Sequence, residues 1–424
     1  LTPTTQQAPE APPSQTPLGV YLHTPWCVHK CPYCDFNSHR LRGRVPAHTY
    51  VEALLRDLDH ALPRLQGRPV ATVFIGGGTP SLFPAADVER LLDGLFARLA
   101  PLPWVEITLE ANPDSADQAR FRGYRRAGVN RLSIGVQSLD DNLLTAIGRC
   151  HDARAARAAV SAARDAGFDN LNLDLMYGLP GQTPQGSLRE LREAAALQPE
   201  HLSWYQLTLE PDTLFYRQPP TLPAAAAVAH METARPALLA AAGYVRHDVS
   251  AHARAGHACL HNRNYWEFGD YLGLGAGAHG KLSGRHGVYR ERRLRSPARY
   301  LATAGSEQAI AARRSLQPAD LELEFLLNAL RLLDGFPEAL FTTRTGASQQ
   351  RLHALLAPAR AAGLVEFSEH RVRASRRGLR YLDEILAGLP GPRETEPRLP
   401  PTGRGSESYP AQPGNTAGPA PCGG

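Results

Sequence analysis

The order of apolar runs in this chain predicts an α/β fold: a partial (β/α)6 TIM-like barrel followed by a winged-helix-like α+β domain. Three observations carry that expectation. Six short apolar runs alternate with six amphipathic stretches across residues 18–243, the pattern of βα units around a parallel sheet. Every run ends in glycines or polar residues, where the loops of such a sheet converge. Near the C-terminus the order changes to helix, helix, hairpin and helix.

The strands are expected at Gly19–His23, Ala71–Ile75, Val105–Glu110, Arg131–Val136, Leu171–Met176 and Leu202–Leu207. The helices follow at Ala47–Leu62, Ala85–Leu99, Ser115–Ala127, Ala153–Ala166, Pro184–Leu197 and Ala224–Ala242. Six units fall short of the eight that close a full barrel, so a curved, partly open one is expected. Residues 244–282 are His- and Gly-rich and read as irregular, within a connecting region that spans 244–315. Residues 316–389 read as the winged-helix-like domain, with helices at Asp320–Leu333 and Gln349–Ala362. A hairpin follows at Leu364–Phe367 and Arg371–Ala374, then a closing helix at Arg377–Ala387. The ends, 1–17 and 390–424, are rich in Pro with Gln, Thr, Gly or Ser, and read as disordered tails.

Composition narrows the function classes. A net charge of +5 is spread rather than blocked, which is too little to argue for nucleic acid. The wing arginines Arg371, Arg373, Arg376 and Arg377 are interleaved with Glu366, Glu369, Asp383 and Glu384, so no nucleic-acid partner is expected. No run is long and apolar enough for a membrane span, which leaves at most peripheral membrane contact. The chain opens on Leu1, and the first 17 residues hold five prolines and no apolar core, so no secretory signal is read there. Six cysteines, three of them clustered and three scattered, do not form a disulfide framework; a reducing, cytoplasmic setting is expected.

The clustered three are Cys27, Cys31 and Cys34, spaced Cys-x3-Cys-x2-Cys. Three thiolates in eight residues point to a metal site, and three is one fewer than closes a zinc site or an iron–sulfur cluster. One reading completes a zinc site with His23, His29 or His39. The preferred reading is a [4Fe–4S] cluster with three cysteine ligands, whose open iron can chelate the amino and carboxylate groups of S-adenosylmethionine. Trp26, Tyr33 and Phe36 would shield such a cluster. The second strand ends in Gly76-Gly77-Gly78-Thr79, where missing side chains let backbone approach a ligand and free N–H and C=O groups can pair with it. Glu110, Gln137, Arg149 and Asp174 stand at or beyond later strand ends; acids there can hold ribose hydroxyls, and Arg149 offers a forked donor for a carboxylate.

The triplet followed by Asp35-Phe36-Asn37, the Gly-Gly-Gly-Thr-Pro-Ser run and Glu110-Ala-Asn-Pro together resemble the radical S-adenosylmethionine superfamily. More narrowly they resemble its branch of oxygen-independent coproporphyrinogen III oxidases and relatives, over roughly residues 18 to 388. That resemblance implies that Tyr21, Gly77, Gly78, Thr79, Glu110, Gln137, Arg149 and Asp174 line the S-adenosylmethionine site, with Tyr33 beside the cluster. Phe36 stands where the oxidases carry a further cysteine. The run His261-Asn262-Arg263-Asn264-Tyr265-Trp266 is similar to the His-Asn-x-x-Tyr-Trp signature of the heme-chaperone family HemW. A heme cofactor or cargo is therefore implied, contacted by His261, Tyr265 and Trp266, with apo-hemoproteins such as respiratory enzymes as recipients. The alternative is oxidative decarboxylation of coproporphyrinogen III. His247, His252, His257, Cys259 and His261 crowd together and could bind adventitious metal or supply a second heme ligand.

Overall fold

The protein is described by a computed structural model covering residues 16–115, 117–285 and 287–389. The two expected tails lie outside the described residues, apart from residues 16 and 17.

Six strands take the places the apolar runs predict: β1 Leu18–Thr24, β2 Val70–Gly77, β3 Pro101–Ala111, β4 Arg131–Gln137, β5 Leu171–Tyr177 and β6 His201–Gln206. Each pairs with the next in parallel. They are covered on both faces, which is why β1 and β4 are buried almost throughout and read as near-continuous apolar runs. The intervening helices bury one stripe each. Ala47–Leu65 presents Tyr50, Val51, Leu54, Leu58, Ala61 and Leu65 to the sheet, at helical spacing. It stops at Gln66, whose φ of 55° is left-handed. Side-chain caps start the later helices: Asp117 accepts from Arg120 N–H, Asp152 from Ala155 N–H and Thr183 from Gly186 N–H.

Residues 244–315 depart from the irregular connection expected of them. They supply β7 Val245–Arg246, β8 Ala251–Ala253, β9 Tyr271–Leu274, β10 His279–Gly284, β11 Gly287–Arg293 and β12 Ile310–Ser315. The sheet order is β12-β11-β10-β9-β1-β2-β3-β4-β5-β6-β8-β7. Strand β9 pairs in parallel with β1, and the strands beyond β9 and β6 are antiparallel. The sheet therefore does not close, and it continues past both edges of the parallel part. These strands escaped recognition because several are short and because polar residues take inward positions. Lys281, for example, is buried, with Nζ donating to Asp270 at 2.8 Å. A second ion pair fixes this extension to the first helix: Arg293 Nε donates to Asp57 at 2.8 Å, and both side chains are buried.

The last domain packs a core of its own around Phe325, which meets Phe336 and Phe341 edge-on at 5.0 and 5.3 Å. Its helices are Pro318–Ala329, Glu338–Thr345, Gln349–Ala361 and Leu382–Ala387, and its three strands are Phe336–Pro337, Val365–Ser368 and Arg371–Ala374. Phe268, from the preceding region, completes that core at 6.0 Å from Phe325. On the wing, Arg373 pairs with Glu366.

Candidate functional site

The C-terminal ends of the parallel strands surround a cavity of about 500 Å³. Cys27, Cys31 and Cys34 line it together with Tyr33, Gly77, Gly78, Thr79, Glu110, Gln137, Arg149 and Asp174. All three cysteines and eight of the expected cofactor residues thus meet in one place. Tyr21 does not line the cavity; its hydroxyl lies 2.9 Å from His23 Nδ1 behind the wall.

Backbone pairing holds the cysteine loop at the mouth. Trp26 and Cys27 pair in parallel with His39 and Arg40, and the amides of Gly78 and Thr79 donate to Thr24 O and Trp26 O at 2.6 and 2.7 Å. A Cβ on Gly78 would stand 2.5 Å from Trp26 O, so only glycine lets the loop lie this close. The expected free N–H groups of the triple glycine are therefore spoken for: Gly77 N–H goes to Glu110 Oε2 at 3.1 Å and Gly78 N–H to the loop. Trp26 packs edge-on against Tyr50 at 4.8 Å, and Tyr33 leans on Phe215. Phe36 also lines the cavity, with 56% of its surface exposed.

The three thiols are free. Among the described residues, no three His, Cys, Asp or Glu side chains converge as one ion would need. All three thiols line the cavity. His23, one candidate for closing a zinc site, has both ring nitrogens engaged, by the Tyr21 hydroxyl and at 3.0 Å by Asn37 O. Burial pushes the Cys34 thiol up to about 11 and raises Cys27 as well, so loading metal must displace their protons. Arg149 Nη1 lies 3.7 Å from Cys31 Sγ and offers a compensating charge.

Opposite the loop the wall is acidic. Burial, and then the neighbouring Asp174, raise the Glu110 carboxyl to about 8. Asp174 is raised by burial too, although Ser133 Oγ at 2.7 Å and Asn172 Nδ2 at 2.9 Å donate to it. Arg149 Nη2 donates to Asn112 Oδ1 and Gly135 O, while its Nε is buried without a partner. Gln137 sits at φ 65°, unusual outside glycine, and accepts from the Tyr205 hydroxyl at 2.7 Å. The cavity thus offers thiols and a guanidinium on one side, and proton-holding carboxyls on the other. That suits a zwitterionic ligand with hydroxyl groups.

Several lining residues had not been singled out: Arg131, Ser133, Asn172, Ser203 and Tyr205. A period-two count inward from the known strand ends finds them. From Gln137 it reaches Gly135, Ser133 and Arg131; from Asp174 it reaches Asn172; on β6 it links Tyr205 and Ser203.

The His-Asn-x-x-Tyr-Trp run does not present its histidine to a ligand. His261 is 1% exposed and stacks on Phe74 at 5.0 Å. Its Nδ1 is 2.8 Å from the Thr72 hydroxyl and its Nε2 is 2.9 Å from the Tyr265 hydroxyl. Trp266 Nε1 donates to Asp248 at 3.0 Å under the guanidinium of Arg331. The expected heme contacts through these side chains are therefore not formed on an open face. Of the neighbouring histidines, His247 Nε2 pairs with His201 Nε2 at 3.0 Å, and His252 lies near both, buried with both ring nitrogens unpartnered.

Residues 21–193 match the radical SAM superfamily, and residues 316–381 match the HemN C-terminal domain. The chain is 44% identical to the heme chaperone HemW of Escherichia coli, over 87% of this chain and 97% of that one. It is 32% identical to the heme chaperone HemW of Bacillus subtilis, over 88% and 99%. Among solved structures it is similar to the coproporphyrinogen III oxidase HemN of Escherichia coli, a radical SAM enzyme. There the TM-score is 0.75 at 24% identity, covering 88% of this chain and 90% of that one, a likeness of fold.

Proposed function

This chain belongs to the HemW heme-chaperone family of the radical SAM superfamily, and from that premise we propose that it takes up heme and passes it to apo-hemoproteins, respiratory enzymes among them. In this reading Cys27, Cys31 and Cys34 would hold a [4Fe–4S] cluster, and residues at the strand ends would hold S-adenosylmethionine. When bound, the cluster supplies an electron at low potential and an open iron for the amino and carboxylate groups of the cofactor. Glu110 and Asp174, both raised by burial, hold hydroxyl groups. Arg149, beside Cys31, meets the carboxylate end. Gln137, pinned by Tyr205, fixes the ligand's position along the wall.

The observation that carries the reading is convergence: three thiols and eight implied cofactor residues, drawn from separate strand ends, line one cavity. The oxidase reading has no such support of its own, because the likeness to the oxidase is one of fold and Phe36 replaces the oxidases' additional cysteine. No described helix is long and apolar enough to cross a membrane.

Two anaerobic assays test the proposal on the reconstituted protein. Loaded with heme and mixed with an apo-form respiratory oxidase, it should restore that oxidase's activity in proportion to heme lost. Given S-adenosylmethionine, a reductant and coproporphyrinogen III, it should form no protoporphyrinogen IX. Catalytic turnover in the second assay would overturn the reading.

A further inference from the structure

Asp174 stands in the cavity wall at the end of a chain of hydrogen bonds that all run one way. Ser133 Oγ donates to its Oδ2 at 2.7 Å. Asn172 Nδ2 donates to its Oδ1 at 2.9 Å and to Ser133 Oγ at 2.7 Å. With its amino group committed to those two acceptors, Asn172 turns its oxygen away from Asp174. That oxygen accepts from Ser203 Oγ at 3.1 Å and from His201 Nδ1 at 2.6 Å, so His201 carries its proton on Nδ1. Its Nε2 is then an acceptor, and His247 Nε2 donates to it at 3.0 Å. The bonds run from His247 through His201 and Asn172 to Asp174.

Asn172, Ser133 and Ser203 line the cavity, but neither histidine does. His201 is fully buried, paired with Asn172 across β5 and β6. His247, between β7 and β8, is fixed through its backbone: its N–H donates to Ala251 O at 3.1 Å, and its O accepts from Leu333 N–H at 3.2 Å. Burial, and then Arg131, His247 and His252, push the His201 imidazole well below its ordinary pKa, so it stays neutral with one donor and one acceptor.

Burial also favours the protonated form of the Asp174 carboxyl, and a protonated carboxyl can bond either end of an amide. Asp174 alone therefore does not fix which way Asn172 faces. Without the His201 donor, the Asn172 oxygen keeps only Ser203. The amide is then free to turn that oxygen toward Asp174, whose proton would be spent on it. We propose that His201, backed by His247, is a positioning residue for the cofactor. By holding the Asn172 amino group toward Asp174, it keeps that carboxyl open to accept the ribose hydroxyls of S-adenosylmethionine. This role rests on the reading of Asp174 as part of the S-adenosylmethionine wall.

Anaerobic equilibrium binding to the cluster-loaded protein tests it, with S-adenosylmethionine and its analogue lacking both ribose hydroxyls as probes. His201→Leu should weaken S-adenosylmethionine about tenfold or more and leave the analogue unchanged. His201→Asn sets an amide N–H where Nδ1 stands and should recover most of the affinity. His201→Gln reaches the Nε2 position instead and should fall with His201→Leu. Asp174→Ala should narrow the preference for S-adenosylmethionine over the analogue. Iron content and circular dichroism establish that fold and cluster persist in each variant. Wild-type affinity in His201→Leu, or an equal loss for both probes, would overturn the role of His201 alone. If the leucine variant does not fold, equal binding by the Asn and Gln variants overturns that role as surely. An Asp174→Ala protein with the wild-type preference would overturn the reading of the cofactor wall, and this role with it.

Discussion

The amide of Gly77 donates to the Glu110 carboxyl at 3.1 Å, joining the end of β2 to the end of β3 along the cavity wall. Burial, and then the neighbouring Asp174, raise that carboxyl to about 8 although this bond pulls it down. A group meant to accept a ligand's hydroxyls is thus stored protonated until something replaces the missing water.

This storage gives the cluster-free protein a pH dependence. The folded chain retains a proton that the unfolded chain releases above about 4.5. The associated stability is complete below that value and is lost as pH rises through about 8. Glu110→Gln should flatten the fall, seen as urea midpoints followed across the same pH window. The wild-type slope should exceed the variant's by up to about 1.4 kcal/mol per pH unit. Equal slopes would show that Glu110 ionises normally.

Cysteine replacement should separate loading from folding. Cys31→Ser removes one ligand from a half-exposed position, so iron per chain should drop sharply while the circular dichroism spectrum stays unchanged. Retained stoichiometric iron would mean that Cys31 is not a ligand.

The close approach at Gly78 predicts a steric effect. Gly78→Ala forces its Cβ against Trp26 O and should cost about 1–3 kcal/mol in stability together with cluster retention. Gly284→Ala meets nothing within 4 Å and should stay within about 0.5 kcal/mol of wild type. Thermal and urea unfolding of both variants make the comparison.

His261 should behave as a core residue. His261→Ala strands the Thr72 and Tyr265 hydroxyls and opens a hole under Phe74, a loss of about 2–4 kcal/mol. A variant with wild-type stability that no longer binds heme would contradict this and return the histidine to the ligand role.

Much of the barrel was legible because strand, turn and helix each leave a period in the sequence, and the cysteine spacing is compact enough to read alone. The inward rows were harder. Ser133 and Asn172 look like ordinary polar residues until the strand phase is counted from Gln137 and Asp174. His261 was read by its chemical type, since its neighbours Tyr265 and Trp266 look like a heme-facing set. Only the third dimension shows that Thr72, far away in sequence, closes one nitrogen. The extension strands β10 to β12 carry Arg and Lys where an apolar period would have announced them.

The central place of β1 has a consequence for biosynthesis. One neighbour of this strand is β2, but the other is β9, from Tyr271 onward. The cysteine loop that follows β1 is braced by Ala276 and Arg295 through Asn37. A ribosome therefore delivers the three thiols long before the chain that anchors them. Until Arg295 has emerged, the thiols sit on a loop without half its supports. Metal offered to the nascent chain would meet loose cysteines, and a shaped site exists only once nearly the whole barrel has been made.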